Sequence, residues 1–120
     1  MPSNILVIDD DPSILMTVAE VLEDEGYAVR TASNGAEGLA AVQEALPRLV
    51  LLDMRMPVLD GWGFAHSLRE RGIDLPLLVM TAAQDARQWG REVGAIGVIP
   101  KPFDLNDLLD AVSSALHRAS

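Results

Sequence analysis

Three short stretches of this chain are apolar throughout: Ile5-Leu6-Val7-Ile8, Leu49-Val50-Leu51-Leu52 and Leu75-Pro76-Leu77-Leu78-Val79-Met80. Each is too short for an ordinary helix, and none alternates with polar residues, so each reads as a strand buried on both faces. Strands with two covered faces need helices on either side of their sheet. That excludes a helical bundle and an open antiparallel sheet, and leaves a layered α/β architecture.

The intervening segments supply the helices. Asp11 before Pro12 is a favoured helix start. Ile14, Leu15, Val18, Val21 and Leu22 follow at helical spacing, and Gly26 stands where the helix would stop. Tyr27 to Ala32 alternates, as a half-exposed strand near a sheet edge does. Ser33-Asn34-Gly35 is a turn, and Ala36 to Leu46 a helix with Leu39, Val42 and Leu46 on one face, stopped by Pro47. Met56 to Gly61 is a loop, in which Asp60 caps a helix from Trp62 to Arg71, ended by Gly72. Ala82 to Val93 is a weak helix, because its apolar positions are sparse and Gly90 costs about 1 kcal/mol relative to Ala. Gly97-Val98-Ile99 is a short fifth strand ending at Pro100. Asp104, with Asp107 three residues on, caps a last helix whose buried face is Leu105, Leu108, Leu109, Val112 and Leu116.

Strands and helices in strict alternation imply βαβ units, hence a parallel sheet with right-handed crossovers. The more polar second strand belongs at an edge and the first, third and fourth at the centre. The expected fold is a flavodoxin-like (βα)5 doubly wound sandwich, a parallel five-stranded sheet in order 2-1-3-4-5. With no linker, repeat or low-complexity segment, residues 1–120 form a single domain.

Charge narrows the function classes. A net charge of −9 repels phosphate backbones and anionic membranes, and no basic stripe offsets it, so direct nucleic-acid and membrane binding are not expected. There are no cysteines, which removes disulfides and thiolate metal sites. His66 and His117 are too few and too far apart for a transition-metal cluster. No apolar run approaches the ~20 residues that cross a bilayer. The first residues carry no basic segment of a signal peptide, so a cytoplasmic location is expected.

In such a sheet all carboxyl ends of the strands face one way. Asp9 and Asp10 follow the first strand, Asp53 the third, Thr81 the fourth and Lys101 the fifth. Taken singly, these are a cap, a turn residue, a strand-end hydroxyl and a surface lysine. Taken together, they converge at the mouth of the sheet, where open α/β sheets place their chemistry. Three crowded carboxylates need compensating charge, and Mg²⁺, which prefers a few carboxylates plus phosphate oxygens, would supply it. Asp53 is then a nucleophile toward a phosphoryl group. Asp9 and Asp10 hold the metal, while Thr81 and Lys101 meet the phosphoryl oxygens. Small Ala82 leaves room for that group. Trp62, Trp89, His66 and His117 read as helix-surface or packing residues.

Those residues carry a resemblance that runs the length of the chain. Asp9-Asp10, Leu52-Asp53-Met54-Arg55-Met56-Pro57 with Asp60-Gly61, Met80-Thr81-Ala82 and Lys101-Pro102-Phe103 occur in the order and spacing of the receiver domain of two-component response regulators. The chain is similar to the single-domain chemotaxis-type regulator among them. The resemblance implies that a histidine kinase or histidine phosphotransfer protein phosphorylates Asp53. It implies Mg²⁺ on Asp10, Asp53 and the backbone carbonyl of Arg55, with Asp9 acting through water, and a cis bond between Lys101 and Pro102. It also implies that the domain assists its own phosphorylation and slow dephosphorylation without being an enzyme on other substrates. Arg55 and Ala83 flank the position from which water would attack. The output is an unknown downstream protein, met as a monomer or as a phosphorylation-dependent dimer, and the domain is either stand-alone or part of a longer chain.

Two positions depart from the family pattern. The Tyr or Phe often found three residues before the lysine is Val98 here, which cannot swing between buried and exposed ring positions. The segment from Thr81 to Lys101 is roughly two residues short, within Gln84 to Val93, so a short or mobile fourth helix is expected. The main alternative is a degenerate receiver used as a phosphorylation-independent interaction or dimerisation module. An FMN carrier on the same topology would need a neutral phosphate loop where three aspartates stand. An aspartyl-phosphate hydrolase would place an acid where Arg55 stands.

Overall fold

The computed structural model describes residues 4–56 and 58–119, without the side chains of residues 83, 86, 87, 89, 90 and 119. Pro57 and the side chains of Ala83 and Trp89, named above, therefore lie outside the described residues. In chain order the elements are β1 (Asn4–Ile8), α1 (Pro12–Asp24), β2 (Ala28–Ala32), α2 (Gly35–Glu44), β3 (Leu49–Asp53) and α3 (Gly61–Glu70). They continue with β4 (Leu77–Ala82), a 3-10 turn (Ala83–Asp85), α4 (Ala86–Val93), β5 (Gly97–Lys101) and α5 (Leu105–Ala119). The strands form one sheet in the expected order β2-β1-β3-β4-β5, with every pairing parallel.

Successive strand residues point to opposite faces, so each buried strand feeds two cores. Leu6, Ile8, Val50, Leu52 and Val79 face one side, under Leu39 and Val42 of α2, Phe64 and Leu68 of α3, and Val93 of α4. Ile5, Val7, Leu49, Leu51, Leu78 and Met80 face the other, under Val18 and Leu22 of α1 and Leu108 and Val112 of α5. Each such Leu or Ile contributes on the order of 1.5–3 kcal/mol when fully buried.

The helix ends follow local chemistry. Asp11 accepts hydrogen bonds from the Ser13 and Ile14 backbone, Asp60 from Gly63 and Asp104 from Asp107. Gly26, at φ 96°, ends the first helix in the left-handed region. At α2 the pattern is reciprocal. Asn34 accepts from the Glu37 amide, and Glu37 reaches back to the Ser33 amide and hydroxyl.

Four elements differ by two residues or more from the bounds expected above. The second helix ends at Glu44 rather than Leu46. Ala45 is already extended, and Arg30 of β2 closes the helix by donating to the carbonyls of Ala41 and Ala45. Leu46, just before Pro47 and so biased toward extended backbone, is 63% exposed instead of joining the buried face. Leu105 is also exposed. It sits on the first turn of α5 and lines a groove with Ile14 and Phe103 rather than packing on the sheet. The fourth strand begins two residues late, at Leu77, and runs through Thr81 and Ala82. The fifth strand continues through Pro100 to Lys101, which a proline permits because β5 is an edge strand. The fourth helix is short, at eight residues, and a 3-10 turn takes the place of its expected first turn.

Gly61 sets how closely α3 approaches the end of β3. A Cβ there would stand 2.5 Å from Met54 Sδ, 2.9 Å from Met54 Cα and 3.1 Å from the Asp53 carbonyl oxygen. Two of those three contacts are backbone, so relief requires the chain itself to move. Gly61→Ala is expected to lower stability by about 1–3 kcal/mol in equilibrium urea denaturation. An unchanged midpoint would mean that the loop after Asp53 opens without cost.

Candidate functional site

Strand register brings the polar residues together. Ile8 pairs with Leu52, so Asp9 and Asp53 leave the sheet side by side. Asp53 pairs with Met80, which puts Thr81 one step beyond it on β4. Ala82 pairs with Lys101, which places the lysine across from the small residue next to Thr81. Asp9, Asp10, Asp53, Arg55, Thr81 and Lys101 all line one cavity of about 320 Å³. The sequence reading named these six, and the fold collects all of them.

The three consecutive aspartates have three different surroundings. Asp9 is fully buried; its Oδ1 accepts from the Asp11 amide at 2.9 Å and its Oδ2 faces Lys101 Nζ at 3.3 Å. Asp10 is exposed at the cavity rim. Asp11 is the helix cap. Asp53 is buried, and its Oδ1 accepts from the Arg55 amide at 3.3 Å and lies 3.5 Å from Lys101 Nζ. One ammonium thus bridges two buried carboxylates. The Lys101–Pro102 bond is cis.

Burial raises the Asp53 pKa to about 6, with the neighbouring Asp9 charge acting in the same direction. Lys101 and the Arg55 amide oppose the shift. Ligand oxygens of Asp9, Asp10 and Asp53 all lie within 4.8 Å of one another, and among the described residues no other such cluster comes together. An all-carboxylate oxygen set of this size suits a hard divalent cation. Thr81 is buried, and its hydroxyl oxygen has no hydrogen-bond partner. A buried polar group left unmatched is costly, so a hydroxyl lining a cavity in that condition is suited to a ligand oxygen.

Two contacts escaped the sequence reading. The Arg55 guanidinium meets Asp85 of the 3-10 turn at 3.5 Å. Trp62, read as a surface or packing residue, packs against the core and also donates from Nε1 to Glu92 of α4 at 2.6 Å. Both link α3 or the loop before it to the segment after β4. The available signal was topological: segments after neighbouring strands lie side by side, so polar groups on them can meet.

The family model for the response regulator receiver domain matches residues 5–113. This chain belongs to that family. Receiver domains of this kind are the regulator half of two-component signalling, and the relatives agree. The chain is 40% identical over 122 aligned residues to the response regulator MprA of Mycobacterium sp. (strain KMS), covering all of this chain and 53% of the relative. It is 41% identical over 117 residues to the probable transcriptional regulator ycf27 of Pyropia yezoensis, covering 96% of this chain and 48% of that protein. The receiver therefore spans about half the length of these curated relatives. Among solved structures, the chemotaxis protein CheY4 of Vibrio cholerae superposes with a TM-score of 0.86 at 33% identity, over 96% of this chain and 99% of that one. NtrX of Brucella abortus gives 0.90 at 33% identity, over 99% of this chain and 28% of that one.

The raised pKa of Asp53 makes stability depend on pH. The unfolded chain has an ordinary Asp value of about 3.9. Between about pH 4 and pH 6 the folded receiver binds a proton that the unfolded chain releases, so this group's contribution falls as pH rises through that window. Above it, the buried charge is a standing cost. Asp53→Asn is expected to stabilise the receiver by about 1–3 kcal/mol at pH 8, with the gain shrinking as pH falls from 6 to 4. Urea denaturation at several pH values checks this; a destabilised Asn variant at pH 8 would contradict it.

Proposed function

We propose that this receiver accepts a phosphoryl group on Asp53 from the phosphohistidine of a histidine kinase or histidine phosphotransfer protein, and that the new charge changes its protein contacts. The observation that carries this reading is Lys101 Nζ placed between the buried carboxylates of Asp9 and Asp53, in the cavity where the unpartnered Thr81 hydroxyl waits. In the transfer, the N–P bond of the donor breaks and an O–P bond to Asp53 forms. The electron pair stays on the imidazole nitrogen, which takes a proton from water. Lys101 and Thr81 bind the phosphoryl oxygens as charge shifts onto them.

Mg²⁺ fits the donor set. Asp10, Asp53 and the Arg55 carbonyl would hold it, with Asp9 behind them. When bound, the ion offsets the negative charge of the carboxylates and the phosphoryl oxygens. The receiver assists its own phosphorylation and dephosphorylation and acts through an unidentified downstream protein, as a monomer or as a dimer formed on phosphorylation. A cytoplasmic location suits a kinase-linked domain in which no helix among the described residues is long and apolar enough to cross a membrane. The transcriptional role in the printed name of one relative concerns a protein about twice as long. The charge of −9 on this chain opposes direct DNA contact.

Incubation with a small-molecule phosphodonor and Mg²⁺ tests the reading by intact mass. The wild-type chain should gain one phosphoryl group, Asp53→Asn none, and Lys101→Ala should react on the order of 10²-fold more slowly. Chelation of Mg²⁺ should suppress the gain. Failure to gain mass from both a small donor and a phosphorylated histidine domain would sink the proposal.

A further inference from the structure

We propose that the Arg55–Asp85 ion pair is a latch between the phosphorylation site and the fourth helix, closed in the unmodified receiver and opened when Asp53 carries a phosphoryl group. The trigger rests on the function proposed above. The latch itself rests on the geometry.

Arg55 belongs to both sides of the device. Its backbone amide holds Asp53 Oδ1 at 3.3 Å, and the residue lines the cavity. Its guanidinium reaches out of the cavity to Asp85 Oδ2 at 3.5 Å. Asp85 closes the 3-10 turn that leads directly into α4. The far end of that helix is fastened separately: Glu92 accepts from Trp62 through its side chain and from Arg69 through its carbonyl, and Val93 is buried in the core. The start of α4 is thus tied to the site by an exposed charge pair, and its end by packing and hydrogen bonds.

The pair is placed to be displaced. The Arg55 side chain is 74% exposed, so the attraction to Asp85 is weak. A phosphoryl group at Asp53 would bring roughly −1.5 to −2 charge into the cavity that Arg55 lines. Phosphate oxygens accept a guanidinium in two parallel bonds, which a single Arg–carboxylate contact at 3.5 Å does not match. Arg55 turns inward, Asp85 loses its partner, and the first turn of α4 loosens while Val93 holds the last. This route needs no aromatic ring. Val98, half-buried in the core that α3 and α4 share, stays where it is. The coupling is a shift between two arrangements of one short segment.

Hydrogen exchange on the 120-residue chain, with and without the phosphoryl group, reads the latch. Asp85→Asn is the primary variant, because Asp85 touches none of the reacting groups. In unmodified protein it should speed exchange across residues 86–89 by about two- to five-fold, the range an exposed ion pair supplies. Exchange in α1 should not change. Phosphorylation should produce a similar rise in wild type and little further rise in Asp85→Asn, while Asp85→Glu should behave as wild type. Wild-type exchange rates in unmodified Asp85→Asn would overturn the latch. So would a phosphorylation response in Asp85→Asn as large as in wild type. A chain whose mass never rises fails the proposed function and removes the trigger, whatever the unmodified Asp85→Asn protein does.

Discussion

The structure is built around two carboxylates that must share one ammonium. Asp9 and Asp53 are both removed from solvent, and Lys101 lies within 3.5 Å of each. Two buried like charges repel strongly, and one lysine cannot neutralise both. Burial first, and the Asp9 charge second, raise the pKa of Asp53 to about 6 against the pull of Lys101. The cleft therefore carries a standing shortage of positive charge, which suits its cluster of carboxylates to a divalent cation.

That tension is sustained by ordinary packing a few ångströms away. The strands that end in the two aspartates are buried on both faces by five helices, and their side chains divide cleanly between two cores. Register rather than long-range recognition decides which residues meet, because each site residue lies within one or two positions of a paired strand end. Gly61 lets α3 close down on the backbone of Met54 and the carbonyl of Asp53, which fixes the chain just after the third strand. The core supplies the free energy, and the cleft spends part of it on unmatched polar groups.

How much of this was legible in the residues varies with the physics involved. The covered faces and the polar strand ends were legible in short apolar runs ending in polar residues, because burial leaves a direct mark on composition, and the sheet has the order that this alternation fits. The cap of α1 at Asp11 was equally plain. Boundaries were harder where tertiary contacts overruled local pattern. Leu46 fits the helical period of α2, yet the Arg30 side chain closes that helix two residues earlier. Leu105 fits the period of α5 but lies where the sheet no longer covers it. Pro100 looked like a strand terminator and is a strand residue, since an edge position removes the usual objection to proline. The pairing of Arg55 with Asp85 and of Trp62 with Glu92 joins residues thirty positions apart. Nothing local announces such pairs; the neighbouring segments after β3 and β4 bring the first together, and the packing of α3 beside α4 the second.

Pro100 carries one more consequence. An edge strand presents a row of free amides and carbonyls that any other extended chain can zip onto. In β5 that row is interrupted at an exposed residue with no amide hydrogen to give. Strand addition along the β5 edge is interrupted at that point, whereas the opposite edge, β2, carries no proline. At Pro100 itself, recognition of this flank falls to side chains. Recognition there is thus open to tuning by single substitutions, where generic strand addition would accept nearly any sequence.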